Sequence, residues 1–284
     1  MGKHYVPQHY LRGFEDPAKP GMIWMYRKGG EKPVYVPIKS VAQEKGYYSD
    51  DVERWLTEKI ENPVNPIINK LRKGIMLSRR EKISVACYMC VMMTRVPAHK
   101  ERIEKMRPEV TELVLSFLEN EIDEMKKQNP ENGDACKQAE REIEDLRKRY
   151  ERKLPEEITR EAEKPVVILG VVKAIARMKW ILYRIQGPSY LIITDNPFFY
   201  FECYGLGDKR VEITFPITKD LCLWLKPDAP LDEGIYFGNE KITRQFNQRL
   251  VTTATRFVFY HRDESWLQPF VNKRRQLENL SRIV

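Results

Sequence analysis

Two histidines stand in the opening stretch K-H-Y-V-P-Q-H-Y-L-R-G, at His4 and His9. An imidazole changes charge near neutral pH, so it can act as a base, a metal ligand or a phosphate partner. Their five-residue spacing is not a recognised metal-pair spacing, and both could instead hydrogen-bond within a docked terminus. Far downstream, Asp195-Asn196-Pro197 follows the apolar run Leu191-Ile192-Ile193. A carboxylate at the end of a buried strand is rigidly held and well placed for catalysis. The same tripeptide is also an ordinary turn signal, with side chains that bond their own backbone. Arg95 closes an apolar helical stretch just before Pro97. There it could grip phosphate in a bidentate way, cap the helix carbonyls, or pair with Glu61 or Asp195. Glu61 stands ahead of Asn62-Pro63 as a metal-ligand candidate or a solvated helix-end charge. Gln8, Asn196 and Asn247 are amides that could orient a ligand. Taken together, His4, Asp195 and Arg95 form the expected catalytic set. Glu61 and Asp195 would hold Mg or Mn, and Gln8, Asn196 and Asn247 would contact substrate.

Other chemistries lack their signatures. The chain has no G-x-x-x-x-G-K-S/T loop, no G-x-G-x-x-G after a strand, no H-E-x-x-H and no G-x-S-x-G. P-loop hydrolysis, dinucleotide cofactors, zincin chemistry and the usual hydrolase nucleophile are therefore unsupported. Cys87-x-x-Cys90 has no second cysteine or histidine pair spaced to complete a zinc site. It falls in an apolar helix, where both cysteines read as small core residues.

The elements that must position these residues follow from composition and periodicity. The 284 residues fit one large or two small domains, and 42% hydrophobic with 11% aromatic residues is enough for a substantial core. Lys plus Arg number 49 against 41 Asp plus Glu, a net charge of +8. With a pI near 9.1 this favours acidic partners such as RNA or DNA. It equally suits a soluble surface. No apolar run approaches the ~20 residues a membrane-spanning helix needs, so no membrane partner is expected. The first residues lack the basic-then-apolar layout of a secretory signal. Five scattered cysteines do not suggest a disulfide framework. The expectation is a cytoplasmic chain.

Aromatic and β-branched runs at 22–27 and 33–36 flank Gly29-Gly30 and read as a hairpin whose second strand lies at a sheet edge. A short helix is expected over 40–44, with extended chain at Gly46-Tyr47-Tyr48. Asp50 or Asp51 caps a helix carrying Val52, Trp55, Leu56 and Ile60, which Pro63 and Pro66 break or restart. Ser78 caps the next helix, with Ile83, Ala86, Cys87, Cys90, Val91 and Thr94 on one side. Pro165 opens a long buried helix through Trp180 toward Arg184. Strands follow at 190–194, 198–202, 211–215 and 221–225. A helix near 240–254, a strand at 256–260 and a last helix after Asp263 complete the chain.

Residues 98–164 differ in character. Val114, Leu118, Ile122 and Met125, then Ala139, Ile143, Leu146 and Tyr150, recur at helical spacing around the turn signal N-P-E-N-G-D at 129–134. This predicts a charged helical hairpin with a narrow apolar seam, which could project from the body or form a homodimer contact. The expected fold class is α+β. Residues 1–97 and 165–284 form a helical core with an N-terminal hairpin and a mainly antiparallel sheet from the C-terminal third, and 98–164 are inserted.

Four separated pieces, H-Y-V-P-Q-H-Y-L-R-G-F at 4–14, T-R-V-P at 94–97, I-I-T-D-N-P at 192–197 and F-P-I-T-K-D-L-C-L at 215–223, have an order and spacing that resembles the bacterial and archaeal family DUF4238. Asn247 and the strand at 256–260 resemble its closing segment, and 98–164 looks like a variable insertion. The resemblance implies a shared site built from distant pieces and brings no mechanism with it.

Two functional expectations follow. The first is a nucleic-acid- or nucleotide-directed phosphodiesterase, nuclease-like, metal-dependent and defence-associated. In it carboxylates hold the ion, His4 moves a proton and Arg95 meets developing phosphate charge. The second is a non-catalytic module that binds nucleic acid or protein through its basic surface and charged hairpin.

Overall fold

The computed structural model describes residues 2–128, 131, 133–152, 165–273, 275–276 and 280–283. The chain divides into two compact units, Met1–Ala98 with Pro165–Val284, and His99–Lys164. The fold is α+β. Among the described residues no helix is long and apolar enough to cross a membrane.

In the first unit the opening residues are docked. Strand β1 (Gly2–His4) pairs antiparallel with β4 (Gln43–Lys45), which sets His4 opposite Gln43. Helix α1 (Gln8–Leu11) and a 3-10 turn (Arg12–Phe14) follow, burying Tyr10, Leu11 and Phe14. Strands β2 (Met22–Arg27) and β3 (Val34–Pro37) form the expected hairpin. Gly29 takes a positive φ in its connection, a conformation without cost for glycine. β3 is the edge strand, where Pro37 gives up no ladder bond. The helix expected at 40–44 is instead a 3-10 turn (Ile38–Ser40) leading into β4. Five residues close only one i→i+4 bond, and it loses there to the ladder with β1.

Ser49, rather than Asp50 or Asp51, caps α2 (Asp50–Trp55). A π-helical turn (Leu56–Glu61) carries the axis into α3 (Asn62–Arg72), so Pro63 and Pro66 do not break it. Pro63 sits in the first turn of α3, where its missing N–H leaves no bond unmade, and the widened turn ahead of it relieves its ring. Ser78 and Glu81 make a capping box on α4 (Arg79–Thr94). This helix buries Val85, Ala86, Tyr88, Met89, Cys90, Val91, Met92 and Thr94, and is the central one.

The long helix expected from Pro165 does not form. Helix α7 is only Leu169–Arg177, with Leu169 exposed, and Met178 turns extended into strand β5 (Lys179–Ile185). Trp180, Ile181, Leu182 and Tyr183 are buried on both faces. A strand buried on both faces shows no period of two, so its apolar run reads as helix. β5 lies between β9 (Leu221–Lys226), antiparallel, and β10 (Gly234–Gly238), parallel. The five-stranded sheet runs β10-β5-β9-β8-β7, with β8 at Ile213–Thr218 and β7 shortened to Phe199–Tyr200. The four-stranded sheet runs β3-β2-β11-β6, all antiparallel, with β11 at Phe257–Tyr260 and β6 at Ile193–Thr194. Helix α8 (Glu240–Thr253) packs against strands of both sheets, and α9 (Leu267–Asn272) follows.

The second unit holds most of α5 (Pro97–Gln128) and all of α6 (Gly133–Arg152). Its seam is Leu115, Ile122, Cys136 and Ile143, with Ala139 and Leu146 against them. Leu118 and Met125 are exposed instead. The expected contributions of Val114 and Tyr150, and most of the turn at 129–134, lie outside the described residues. Arg147 ties Glu112 and Glu119 across the hairpin at 2.8 and 2.9 Å. Residues 99–164 carry 15 Lys and Arg against 19 Asp and Glu, a net −4, while the rest of the chain carries 34 against 22, a net +12.

Candidate functional site

His4, Glu61 and Arg95, which lie far apart in sequence, meet in the first unit. Arg95 follows α4 and is almost fully buried, at 1% exposure. It donates from Nη1 to Glu61 Oε1 at 2.7 Å, from Nη2 to the His4 carbonyl at 2.5 Å, and from Nε to the Tyr48 hydroxyl at 3.3 Å. Burial opposes its charge, but Tyr48 and Glu61 outweigh that and hold the guanidinium above its ordinary value. Three of its five N–H groups are engaged, and the guanidinium is closed to solvent. Arg95 therefore positions its neighbours rather than acting as the phosphate contact expected of it.

The groups around this pair are poised differently. The His4 imidazole is lowered by burial, with a hydrogen bond to the Lys39 backbone opposing the shift and Arg95 adding to it. Its Nε2 is buried and bonds to no described residue. The His9 imidazole is lowered by burial and Arg72, with Glu61 opposing. Glu53, on α2, is raised by burial, with Arg95 opposing and Glu61 adding to the shift. Its Oε2 is buried with no hydrogen-bond partner among the described residues. Tyr48 is pushed up to about 12 by burial against the pull of Arg95. Thus a neutral imidazole and a carboxyl raised toward its protonated form share the field of one ion pair. That is an acid and a base held apart by environment. Glu61 ends the π-helical turn, a feature that recurs at functional sites. Next to β4, Ala42 has a φ of 51°, the one positive φ on a non-glycine among the described residues, and its carbonyl accepts the Tyr5 N–H at 2.9 Å.

Asp195 serves elsewhere. Its carboxylate accepts the backbone N–H groups of Thr255, Arg256 and Phe257 at 2.8, 2.6 and 3.0 Å, so it fixes the entry to β11. Burial outweighs these bonds and pushes it up to about 6. The Asn196 backbone carbonyl accepts the hydroxyls of Thr194 and Thr253. Asn247 takes the Ile192 N–H at 3.1 Å and gives its amide N–H to the Tyr190 carbonyl at 2.8 Å, bracketing the chain before β6. Gln8 is exposed on α1. Among the described residues no three His, Cys, Asp or Glu side chains are grouped to hold a metal. Glu61 is engaged by Arg95 and Asp195 by three N–H groups, so the two carboxylates do not fit the magnesium or manganese site expected of them.

The two ends are nevertheless coupled. Asp195 reaches Tyr5, whose phenol is raised by burial and then by that charge. The Arg256 side chain pairs with Glu44 on β4, which pairs with β1 and so holds His4. The Tyr10 ring stacks on Phe215 at 5.0 Å, its hydroxyl donates to the Pro216 carbonyl, and Lys219 N–H donates to the Gly13 carbonyl at 2.9 Å. The Leu191 N–H reaches the Lys219 carbonyl at 2.7 Å.

The model of a family described as a protein of unknown function, DUF4238, matches residues 3–264. The chain belongs to the DUF4238 family. No curated protein and no solved structure matches it. In this DUF4238 chain, the 4–14 piece touches the 94–97 piece through Arg95 and the 215–223 piece through Tyr10 and Gly13. Sequence reading missed Glu53 and Tyr48, which look like ordinary helix and loop residues. Their only signal was proximity to Ser49, the true cap. It also missed the fully buried pair of Arg249 and Glu212, 2.6 Å apart, to which Trp224 and the Ile283 N–H add bonds at 3.2 Å each. In this DUF4238 chain the pair anchors the segment at Ser281 and Ile283 to the sheet.

Proposed function

We propose that this protein is a phosphodiesterase that cleaves RNA through an acid and a base, with His4 as the base and Glu53 as the acid. One observation carries the reading: His4 Nε2 has no hydrogen-bond partner among the described residues and lies in the field of the Glu61–Arg95 pair, closed to solvent until a substrate displaces its cover. RNA brings its own nucleophile, so its cleavage needs only a proton acceptor and a proton donor. His4 Nε2 takes the proton of a 2′-hydroxyl, and the 2′-oxygen forms a bond to phosphorus. The bond from phosphorus to the 5′-oxygen breaks, and Glu53 gives that oxygen its proton. Arg95 holds His4 through its backbone carbonyl, and the Glu61–Arg95 pair acts on Glu53 through its charges. The net charge of +12 outside 99–164 supports a polyanionic substrate. Five free cysteines agree with a cytoplasmic setting.

Labelled RNA and DNA, incubated with pure protein in chelator and separately in magnesium or manganese, test this. Cleavage of RNA in chelator that is lost in His4→Gln is the expected result. Cleavage of neither polymer, or RNA cleavage unchanged in His4→Gln, overturns it.

A non-catalytic nucleic-acid module is the second reading, favoured by the same +12 charge. The net −4 of 99–164 argues against the hairpin as its contact. Exposed Leu113 and Phe117 suit the hairpin better to a protein contact, including a homodimer. Nucleic-acid binding that weakens steeply with salt, without cleavage and without loss on deleting 99–164, supports this reading.

A further inference from the structure

A cavity of about 580 Å³ opens between α8, α9 and the chain at Pro188–Tyr190, and shares no lining residue with the His4 cluster. Its size falls within the roughly 300–1,000 Å³ of small-molecule sites. Two kinds of group line it. Trp266 and Phe270 are half-buried aromatics, edge to face at 5.4 Å, and the Trp266 indole is fixed by its N–H bond to Glu264 at 2.5 Å. Arg244, Lys273 and Arg275 supply positive charge.

That charge is not neutralised locally. Of the two wall carboxylates, Glu264 is paired with Arg262 at 2.5 Å. Glu240 lies in the first turn of α8, where the helix dipole holds a negative charge. None of the three cations has a carboxylate partner among the described residues. Arg275 lies 4.3 Å from the centre of the Phe270 ring, half-buried. Its guanidinium is lowered by burial and then by the like charge of Arg244. Two guanidinium groups that repel each other across a concave wall are relieved by a bound dianion, and flat aromatic faces beside them suit a planar ring.

We propose that this cavity binds a nucleoside monophosphate, with its base against Trp266 and Phe270 and its phosphate between Arg244 and Arg275. Binding here is independent of the reaction assigned to His4.

Isothermal titration of the full chain with AMP, GMP, CMP and UMP tests it, alongside adenosine, inorganic phosphate and a five-nucleotide RNA. At least one mononucleotide is expected to bind, with its nucleoside and free phosphate each at least tenfold weaker. Arg244→Gln, an exposed change that spares the core, should weaken the mononucleotide at least tenfold, as should Lys273→Gln combined with it. His4→Ala should bind as tightly as the unaltered chain, which separates this site from the cleavage reaction. Absence of binding by all four mononucleotides, equal binding of the nucleoside, or full binding in Arg244→Gln overturns the proposal. So does tighter binding of the five-nucleotide RNA than of every mononucleotide, which would assign the wall to nucleic acid.

Discussion

Arg95 Nη2 donates to the backbone carbonyl of His4 at 2.5 Å while Nη1 holds Glu61 at 2.7 Å. One side chain thus joins the end of β1 to the end of the π-helical turn, and does so out of water. Removing one partner of a buried pair costs about 3–5 kcal/mol, because the other charge is left without compensation. Arg95→Met should lose about that much in urea denaturation. Arg95→Lys should recover only part of it, since an ammonium cannot reproduce the planar fork. A loss below about 1 kcal/mol in Arg95→Met would show that the bridge is not structural.

Asp195→Asn tests whether that carboxylate holds the fold. The amide keeps one acceptor oxygen and turns a donor toward backbone N–H groups. Each N–H left unsatisfied costs about 1–3 kcal/mol, so the variant should lose at least about 2 kcal/mol in denaturant. A stable Asp195→Asn that is catalytically dead would instead return Asp195 to the reacting groups. The pH dependence has a definite sign. The folded carboxyl titrates near 6, above its ordinary 3.8. Its contribution is fully present below about pH 4 and is lost as pH rises through 6. The difference in stability between the unaltered protein and Asp195→Asn should shrink over that span.

His261 acts in the opposite direction. Burial, with Lys219 and Arg262, lowers it from 6.5 to about 4, and its Nδ1 is buried with no described partner. A lowered base is neutral in the fold while the unfolded chain takes up a proton. Its contribution is therefore present above pH 6.5 and is lost as pH falls toward 4. At about 1.4 kcal/mol for each pH unit between those two values, the loss is on the order of 3–4 kcal/mol. His261→Phe should flatten that limb in thermal melts measured from pH 7 to pH 4, and an unchanged limb would remove His261 as its source.

The proposed acid and base set the shape of a rate profile. His4 must be neutral and is lowered from 6.5, so RNA cleavage should rise with pH along a limb below 6.5. Glu53 must be protonated and is raised from 4.5, so cleavage should fall with pH above 4.5. The two limbs together should make a bell, with the midpoint of its acid limb below 6.5 and that of its alkaline limb above 4.5. His4→Gln should cost roughly 10²–10⁴-fold in kcat, and Glu53→Gln should remove the alkaline limb. A flat profile from pH 5 to pH 8 would contradict both roles.

Gly13→Ala tests the docking of the opening residues. An added Cβ would press directly into the Ile217 carbonyl, and that contact is backbone. Forced overpacking costs about 1–3 kcal/mol, and the strain should reach β8 and α1 together. Amide exchange in both should quicken, and exchange confined to α1 would separate the two pieces.

Much of the fold was legible wherever one face meets water. The hairpin of β2 and β3, the Ser78 cap of α4, and α8 all carry periodic or capping signals that local chemistry enforces. The strand from Trp180 to Tyr183 did not, because burial on both faces erases the period. β1 and β4 are three residues each and exist only through each other, which no local pattern records. The site was half legible for a related reason. His4, Glu61 and Arg95 stand out as polar groups beside apolar runs, and they do meet. Asp195 stands out equally, yet its oxygens face backbone N–H groups that no side-chain pattern reveals. Glu53 owes its importance to surroundings supplied by residues distant in the chain.

The widened turn at Leu56–Glu61 also acts as a phase adjuster. Each residue of an α-helix rotates the chain by about 100°, so deleting a single residue there would rewind the turn into regular helix and swing α2 around its axis relative to α3. Glu53 would then face away from Glu61, so a one-residue deletion that removes neither glutamate would separate the acid proposed at Glu53 from its neighbours.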